Sequence, residues 1–445
     1  MQLKATYKDI WKIGYPVMIG NMAHGITQAI DYAFMGRVGI NDLNGTLMAG
    51  MAFFFLIMIA LGFTGGAQIV IARRTGELNY KGVGKTFDHL LYKGALLAIF
   101  IFAATVFFKN TGLDLMLKSD EIVEKAAIYL SYRQWSVPLI VLNLTLIAFY
   151  TGIGKTKVVT VCTVIMSLTN LVFDYGLIFG NLGLPEMGIA GASLATVFAE
   201  IIGSITLFAA LIINKDIKRF NLFTFPKIDW TLMGRMLNLS TPIVFQHLIA
   251  LGTWWLFFIM IEKMGEAELA ISGVIKSLYM LIGIPLWGFA SAIKTIVSNL
   301  IGQKKIEDVI PATIKSIHIS FTISFLLSSI LFLFPKFFLG LYTDDITIVE
   351  KAVPTLHVIL LVMLSFSVGV MTMHAVMGIG DTKTLLIIEA ICITSYIVYS
   401  YLAIFVWHFS LPNVWKVEFI YWILMPVLTI AYLANNKWKT KVFDF

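Results

Sequence analysis

The sequence predicts an all-α integral membrane protein with about twelve transmembrane helices in two homologous six-helix bundles. The first observation is composition: 58% of the 445 residues are hydrophobic and 13% are charged, whereas a soluble domain has about 45–50% and about 25%. The second is that apolar runs of about 20 residues, long enough to cross a hydrocarbon core of about 30 Å, recur along the whole chain. The third is an internal repeat. These observations leave no room for a sizeable soluble domain.

Twelve apolar runs, separated by charged or Gly/Pro-rich breaks, define the predicted spans in order. The eighth run is the most interrupted, because Lys276, Pro285 and Lys294 fall within it. The start of the sequence has no short apolar segment followed by a small-residue cleavage site, so we expect it to remain as part of the first span. The predicted spans are 13–36, 46–72, 88–108, 127–150, 156–180, 188–213, 239–261, 268–299, 315–334, 353–377, 384–408 and 416–435.

The distribution of lysine and arginine predicts the orientation of these spans. With the N-terminus in the cytoplasm, the inner segments carry 21 of these residues and the outer segments carry 8, as expected when basic residues stay on the cytoplasmic side. We therefore expect a multi-pass protein of the plasma (inner) membrane with both termini in the cytoplasm. The same asymmetry explains the net charge of +7, since no basic segment is long enough to form a nucleic-acid surface. Cys162 and Cys392 lie inside apolar runs and are interpreted as packing residues.

The chain repeats itself at an ungapped offset of 226 residues. Pro16 then meets Pro242, and "EIVEKAA" (121–127) meets "TIVEKAV" (347–353) in the same register. Since each half holds six spans, both halves insert with the same orientation, and the pseudo-two-fold axis between them runs along the membrane normal, as in many secondary transporters. We divide the chain into an N-terminal bundle, a cytoplasmic amphipathic linker and a C-terminal bundle, at 1–213, 214–238 and 239–445.

The acids deep in the spans of the first half have no counterpart in the second half. An architectural feature is expected in both halves, so this difference indicates a function carried by the first half alone. At the repeat offset, Asp31, Asn170, Asp174 and Glu200 meet Phe257, Tyr396, Ser400 and Pro426.

These residues belong to polar stripes at helical spacing. Three helices of one bundle thus each offer a polar face, and the simplest packing turns those faces toward one another around a small polar cavity. The stripes are Asn21, His24, Gln28 and Asp31 in span one; Thr160, Thr163, Ser167, Asn170 and Asp174 in span five; and Ser193, Thr196, Glu200 and Ser204 in span six.

The chemistry of this set favours cation handling. An acid at the bilayer centre costs about 2.5–3.5 kcal/mol, and such residues mark ion or proton pathways. Asp31, Asn170, Asp174 and Thr196 could take up a proton, or their oxygens could hold Na⁺, by analogy with other hard, oxygen-ligated cations. As an alternative, Asp31 and Asp174 could be solvated or capping residues near the outer interface.

Five further residues enter the hypothesis with secondary roles. Gln28 and Glu200 would shape the cavity, and His24 is either a proton carrier or a packing residue. Lys276 could counter a carboxylate or line a cavity, or else extend its ammonium group to the membrane interface. Pro16 removes a backbone donor in span one, so a bend there could transmit cation binding.

Several segments, in order, resemble the multidrug and toxic compound extrusion (MATE) family, part of a superfamily that also contains lipid-linked oligosaccharide flippases. They are "GYPVMIGNMAHGITQAIDYAFMGRVG", "GGAQIVIARRTGELN", "YLSYRQWSVPLIVLNLTLIAFYTGIGKTK", "LTNLVFDYGLIFG", "GIAGASLATVFAE" and "GIGDTK". The resemblance covers nearly the whole chain. It implies a V-shaped pair of six-helix bundles that exports organic cations or other amphipathic compounds in exchange for H⁺ or Na⁺.

The resemblance also implies a cation site. The family's aspartate of span one, Asn and Asp of span five and Thr of span six match Asp31, Asn170, Asp174 and Thr196. The acids that some members carry in spans seven and ten are absent here, which implies coupling in the first bundle alone, as in the DinF-like branch.

We therefore predict a secondary active efflux antiporter that works by alternating access. We expect a small amphipathic or cationic substrate, the lipid bilayer as surroundings, and no nucleic acid, no ATPase subunit and no cofactor beyond the coupling H⁺ or Na⁺. "TGIGKTK" (151–157) is interpreted as a turn, because Phe149 stands where a phosphate-binding loop needs glycine.

Two rival functions remain open at this point. A flippase for a lipid-linked saccharide or peptide precursor would favour several cations in its cavity, for which Lys276 and Lys294 are the candidates. An intramembrane enzyme would need a catalytic dyad or a metal set on facing helices. The duplicated halves favour transport over both catalysis and a channel.

Overall fold

The computed structural model describes residues 2–343 and 345–440, and within these ranges the chain is helical and contains no strand. Twelve long helices, named α1 to α12, follow the predicted spans one for one, and some of them include a short π or 3-10 segment. They are Tyr7–Val38, Ile40–Gly76, Tyr80–Met116, Asp120–Gly152, Thr156–Phe179, Ile189–Ile213, Trp230–Glu262, Glu266–Gly302, Ile306–Leu333, Ile346–Ile379, Thr382–Val406 and Leu411–Ala434. Shorter helices cover Asp216–Phe220, Pro335–Gly340 and Lys437–Thr440.

The predicted all-α membrane fold is confirmed, with one helix that differs from the rest. Among the described residues, eleven helices, α2 to α12, are long and apolar enough to cross a membrane. Helix α1 has 32 residues, about 48 Å at about 1.5 Å per residue, so its length suffices. Its polar stripe, together with charged residues in its first turns, makes it less apolar than the other eleven.

Two compact units divide the chain at boundaries that differ from those of the repeat. The first unit is Ile19–Val244, and the second combines Gln2–Met18 with the chain from Phe245 onward. The beginning of α1 therefore packs with the second bundle, while the linker and the beginning of α7 pack with the first. Both crossing points lie two residues after a proline inside the helix, Pro16 in α1 and Pro242 in α7.

Repeat-matched glycines allow these helix segments to pack closely. In the first unit, a Cβ on Gly62 would lie 2.8 Å from the Cα of Val244. In the second unit, a Cβ on Gly288 would lie 2.7 Å from the Cα of Met18. Gly62 and Gly288 are partners in the repeat, as are Met18 and Val244, so the same exchange of helix segments occurs twice in the fold.

The linker is held against the first unit by one buried carboxylate. Asp88 of α3 is fully buried and accepts hydrogen bonds from the backbone N–H groups of Phe223, Thr224 and Phe225, at 2.8–3.0 Å. Next to it, the imidazole of His89 accepts from the backbone N–H of Asp229 at 2.9 Å. The linker is thus an ordered part of this unit.

The two "GIG" segments form turns, as the sequence predicts. Gly154 between α4 and α5 has φ 75°, and Gly380 between α10 and α11 has φ 97°, values in the left-handed region that favours glycine. After the turn, Lys155 binds Asp216 of the linker at 2.6 Å, whereas its counterpart Asp381 caps α11 by accepting from the N–H of Thr384. The lysine is therefore explained by linker attachment.

Candidate cation site

Helices α1 and α5 lie side by side and run in the same direction. A Cβ on Gly20 would lie 3.5 Å from Oγ1 of Thr163. Eleven residues further along both helices stand Asp31 and Asp174, whose carboxyl groups are close enough to interact. One turn beyond the acids, Met35 and Ile178 share an apolar cluster with Ile189 and Ala192 of α6. The polar stripes of spans one and five therefore face each other.

Helix α6 packs antiparallel to α5 and supplies the third stripe. A Cβ on Gly191 would lie 2.5 Å from the carbonyl oxygen of Leu177, and one on Gly203 would lie 2.5 Å from Sδ of Met166. Between these contacts the ring centroids of Phe173 and Phe198 are 4.8 Å apart. This register places Thr196 at the level of Asn170 and Asp174.

The two aspartates form a carboxyl pair with few other polar partners. Asp174 has 0% exposure, and neither of its carboxyl oxygens receives a hydrogen bond from a donor among the described residues. The same holds for Oδ1 of Asp31, which is half-buried. Two ionised carboxylates this close repel each other, and a buried polar group without a partner is costly. The pair therefore needs a proton or a cation between its members.

Asn170 and Thr196 add neutral oxygens beside this pair. Asn170 is buried one turn from Asp174 on α5, and its Nδ2 has no partner among the described residues. Thr196 is half-buried and donates its hydroxyl hydrogen to the carbonyl oxygen of Ala192 at 3.1 Å. Because that hydrogen is engaged, the hydroxyl oxygen can act only as an acceptor toward the cavity.

Glu200 differs from the two aspartates because its carboxylate has a partner. Its Oε2 accepts a hydrogen bond from Nδ2 of Asn143 at 2.8 Å, and Oδ1 of that amide accepts from Ser204 at 2.8 Å. Asn143 belongs to α4, so this network connects α4 to α6. Glu200 lies on the predicted stripe, but its carboxylate is hydrogen-bonded to Asn143 and not to Asp31 or Asp174.

The remaining residues of the first stripe are more accessible. His24 and Gln28 are exposed on α1. Gln28 donates through Nε2 to the hydroxyl group of Tyr32 at 3.4 Å, a long and weak hydrogen bond. Neither residue makes a described contact with the aspartates, so their roles in the site stay predictions.

Arg133 of α4 is a member of this site that the sequence analysis missed. Its guanidinium carbon lies 4.9 Å from the ring centroid of Phe53, and its Nη1 is buried without a hydrogen-bond partner among the described residues. It acts electrostatically on His24, Asp31, Asp174 and Glu200. The signal was available, since Arg133 falls inside the fourth predicted span and intramembrane cations are as costly as acids.

In the second unit, Lys276 lies against aromatic rings. Its Nζ is 5.1 Å from the ring centroid of Phe258 and 5.9 Å from that of Trp254, and it has no ion pair with a described acid. These distances are typical of cation–π contacts. The interpretation of Lys276 as the partner of a carboxylate is not favoured.

Two buried acids of the second unit were also missed by the sequence analysis. Glu418 of α12 accepts from Tyr396 at 3.0 Å and from the indole N–H of Trp422 at 3.2 Å. Glu389 of α11 accepts from the hydroxyl group of Tyr421 at 2.5 Å. Both acids lie inside predicted spans, so their position within an apolar run could have identified them. Their hydrogen bonds distinguish them from the carboxyl pair of the first unit.

The site as a whole combines three carboxyl groups with one guanidinium. If all were ionised, two negative charges would remain without a counter-charge among the described side chains near them. Carboxylate, amide and hydroxyl oxygens suit a proton or an alkali cation. No group of three His, Cys, Asp or Glu side chains that could hold a metal ion occurs among the described residues.

Comparison with known proteins identifies the same repeat. The family model MatE matches residues 16–176 and again residues 242–402, segments separated by the repeat offset. The chain is 23% identical to a probable multidrug resistance protein NorM of Thermotoga maritima, over 98% of this chain and 93% of that protein. It is 25% identical to a NorM of the same description from Rhizobium meliloti, over 75% and 71% of the two chains.

Solved structures share the fold. A multidrug resistance MATE family transporter of the MOP superfamily, in an outward-facing conformation, superposes with a TM-score of 0.89 at 20% identity, over 99% of this chain and 97% of that one. A MOP superfamily transporter from Pyrococcus furiosus gives a TM-score of 0.86 at 19% identity, over 99% and 96%. Since the family model covers more than half of the sequence, the chain belongs to the MatE family. It is an integral membrane transporter and not an enzyme.

Proposed function

We propose that this member of the MatE family is a secondary active efflux antiporter. It exports amphipathic or cationic small molecules by alternating access, in exchange for H⁺ or Na⁺ bound in the first unit. Asp31 and Asp174 bind the coupling cation, with Asn170 and Thr196 as neutral ligands. The observation that carries the proposal is the buried carboxyl pair, whose members face each other without a donor from another described residue.

Two further observations support the proposed substrate class and the proposed direction of transport. Relatives that align with most of this chain are named as multidrug resistance proteins, and the proposal extends that activity to this chain. The excess of lysine and arginine on the inner segments favours termini in the cytoplasm of a plasma (inner) membrane. In that orientation an inward cation gradient would drive export.

The coupling step follows from electrostatics at the pair. With the site empty, the two carboxylates repel each other, and a proton or Na⁺ removes that repulsion. Cation binding therefore favours whichever arrangement of α1 and α5 brings the acids together. Pro16, which lies where α1 passes between units, offers a point at which α1 can bend as this preference changes.

The test is flux of ethidium in proteoliposomes under separately imposed Na⁺ and H⁺ gradients. Wild type should accumulate ethidium under at least one gradient. Asp31→Asn and Asp174→Asn should each lower that gradient-driven flux by about tenfold or more, because a charged ligand contributes about 1.5–3 kcal/mol. Asp114→Asn, an exposed acid at the outer end of α3, is the matched control and should behave as wild type.

A second measurement separates coupling from folding. Ethidium exchange without any ion gradient should persist in both aspartate variants if they fold and bind substrate. Gradient-driven flux that is unchanged in both variants would overturn the site assignment.

The two lysines named as candidates for a flippase cavity have different surroundings in the second unit. Lys276 stacks on aromatic rings, while Lys294 is associated with His374, so the two lysines do not form one cluster. Failure to transport any amphiphile, together with movement of a lipid-linked saccharide, would favour that alternative over antiport.

A further inference from the structure

Three basic side chains of the second unit are associated with one another inside the spans. Lys294 of α8 and His247 of α7 both act electrostatically on His374 of α10. At the repeat offset their counterparts in the first unit are uncharged: Gln68, Asn21 and Ala148. The second unit therefore carries a buried lysine near two histidines that the repeat does not explain.

Lys294 has no partner that would explain its burial. The residue is 8% exposed. Its ammonium group makes no hydrogen bond or ion pair with any of the described residues. Removing an ammonium group from water without a counter-charge is expensive. A buried cation that is not compensated within its own unit indicates an anionic ligand.

His374 fixes the geometry beside this lysine. Its Nδ1 lies 2.9 Å from the carbonyl oxygen of Val370 and, because a carbonyl can only accept, must carry the hydrogen. The ring packs edge-on against Trp287, with centroids 5.6 Å apart. Trp287 lies seven residues before Lys294 on α8, two turns along the same face. A Cβ on Gly378, one turn after His374, would lie 2.6 Å from the carbonyl oxygen of Lys294, so α8 and α10 are close here.

An apolar surface adjoins His374. Trp287 is 40% exposed, although its ring also contacts Phe366 at 5.9 Å. An indole face about 10 Å along α8 from an ammonium group matches a compound with a flat apolar body and one negative group. Such a compound would neutralise Lys294 while its body covers Trp287.

We propose that the ammonium group of Lys294, beside the neutral ring of His374, binds the carboxylate or sulfonate group of an amphipathic organic anion or zwitterion, and that Trp287 holds its apolar body. This inference rests on the proposed function and deepens it, because it assigns the anionic group of a substrate to a place in the second unit.

The test compares two probes that differ in one charge. Binding of 1-pyrenebutyrate and of its neutral amide to the full-length protein in nanodiscs is measured by equilibrium dialysis. Wild type should bind the carboxylate more tightly than the amide. Lys294→Met should weaken carboxylate binding by about tenfold or more, the usual value of a charge-assisted hydrogen bond, and should change amide binding by less than about twofold. Lys294→Arg should retain the preference.

The controls keep the inference falsifiable. Lys351→Met, an exposed lysine of the same unit, should match wild type with both probes. Equal binding of the two probes by wild type, or an equal loss of both in Lys294→Met, would overturn the proposal. The apparent melting temperature and the size-exclusion profile of the purified protein verify that the variant is folded. Because binding needs no gradient, carboxylate-specific binding without coupled transport would refute the antiport proposal and leave this one standing.

Discussion

The two units place opposite chemistry at matched positions of the repeat. In the first unit these positions hold a carboxyl pair with an amide and a hydroxyl beside it. In the second unit they hold three aromatic side chains and a serine, and the rings of Phe257 and Tyr396 lie 5.4 Å apart, edge to face. The matched sets are Asp31, Asn170, Asp174 and Thr196 in the first unit and Phe257, Tyr396, Ser400 and Trp422 in the second.

The two units differ in the hydrogen-bond partners of their buried carboxyl groups, since both units contain such groups. The second unit also has a carboxyl group near these positions, Glu418, but both of its oxygens accept hydrogen bonds, from Tyr396 and Trp422. In the first unit neither carboxyl oxygen of Asp174 receives a hydrogen bond from another described residue. A buried acid that is fully hydrogen-bonded stabilises its fold, whereas one left without donors is available to a ligand.

Asp88 shows why asymmetry between the halves is not sufficient to identify a functional residue. Its repeat counterpart is Ile314, so it is as specific to the first half as Asp31. Its carboxylate nevertheless has a structural role, because it binds three backbone N–H groups of the linker. The linker occurs once, so the residues that hold it also occur once.

The largest effect is expected from Asp88→Ala. The change leaves three partly buried N–H groups without their charged acceptor, which should lower the free energy of unfolding by about 3–5 kcal/mol. Apparent melting temperature in detergent and the yield of folded protein measure the effect. Ile314→Ala, at the matched and 47% exposed position, is the control, and a similar loss in both variants would contradict the role given to Asp88.

Glu418→Leu should have the next largest effect. Leucine has a similar volume but cannot accept from Tyr396, and the buried hydroxyl group is left without its acceptor, at a cost of about 2–4 kcal/mol. We expect a lower melting temperature, with gradient-driven ethidium flux retained at the temperatures where the protein is folded. A loss of coupling with unchanged stability would place Glu418 in the transport cycle instead.

Asp174→Asn should have the opposite sign on stability. The amide relieves the repulsion between the two carboxyl groups and can donate to Asp31, so the free energy of unfolding should stay constant or rise by about 1 kcal/mol. Coupled transport should be lost in the same variant. A melting temperature that falls as far as that of Glu418→Leu would show that the carboxyl pair is structural, and the contrast between the units would disappear.

The smallest effect concerns Asp229, at the exposed start of α7. The ammonium group of Lys85 at 2.7 Å, helped by the N–H of Leu232, lowers the pKa of this carboxyl from 3.8 to about 2. Its stabilising effect is therefore complete above pH 3.8 and is lost as the pH falls through about 2. Local unfolding, measured by hydrogen exchange of the amides near residue 230, should increase only as the pH falls below 3.8 toward about 2. Asp229→Asn should abolish this pH-dependent increase. Acceleration already at pH 5 would contradict this assignment.

Periodicity and composition predicted much of the fold and part of the site. The apolar runs identified all twelve helices, and the 226-residue offset returned as the spacing of the two matched segments. Polar spacing placed Asp31 and Asp174 on stripes that do face each other. These features depend on residues a few turns apart along one helix, which a single sequence records directly.

The remaining features depend on partners from distant parts of the chain. Arg133 approaches the acids from α4, and the hydrogen bonds of Glu418 come from two helices. A stripe predicts which face of a helix is polar, but not which residue lies opposite. The exchange of helix segments after Pro16 and Pro242 is likewise absent from any local pattern, because a local pattern does not record which bundle a helix segment packs against.

That exchange sets an order for biogenesis. The first unit includes the chain up to Val244, and the second includes Gln2–Met18. During synthesis the first six spans cannot complete their packing until the start of the seventh has left the ribosome. Residues 2–18 cannot pack in their own unit until the second bundle has been synthesised. We therefore expect that halves expressed separately from a cut in the linker would each lack a segment of their own core. The two halves of the repeat are therefore not expected to fold as two self-sufficient proteins.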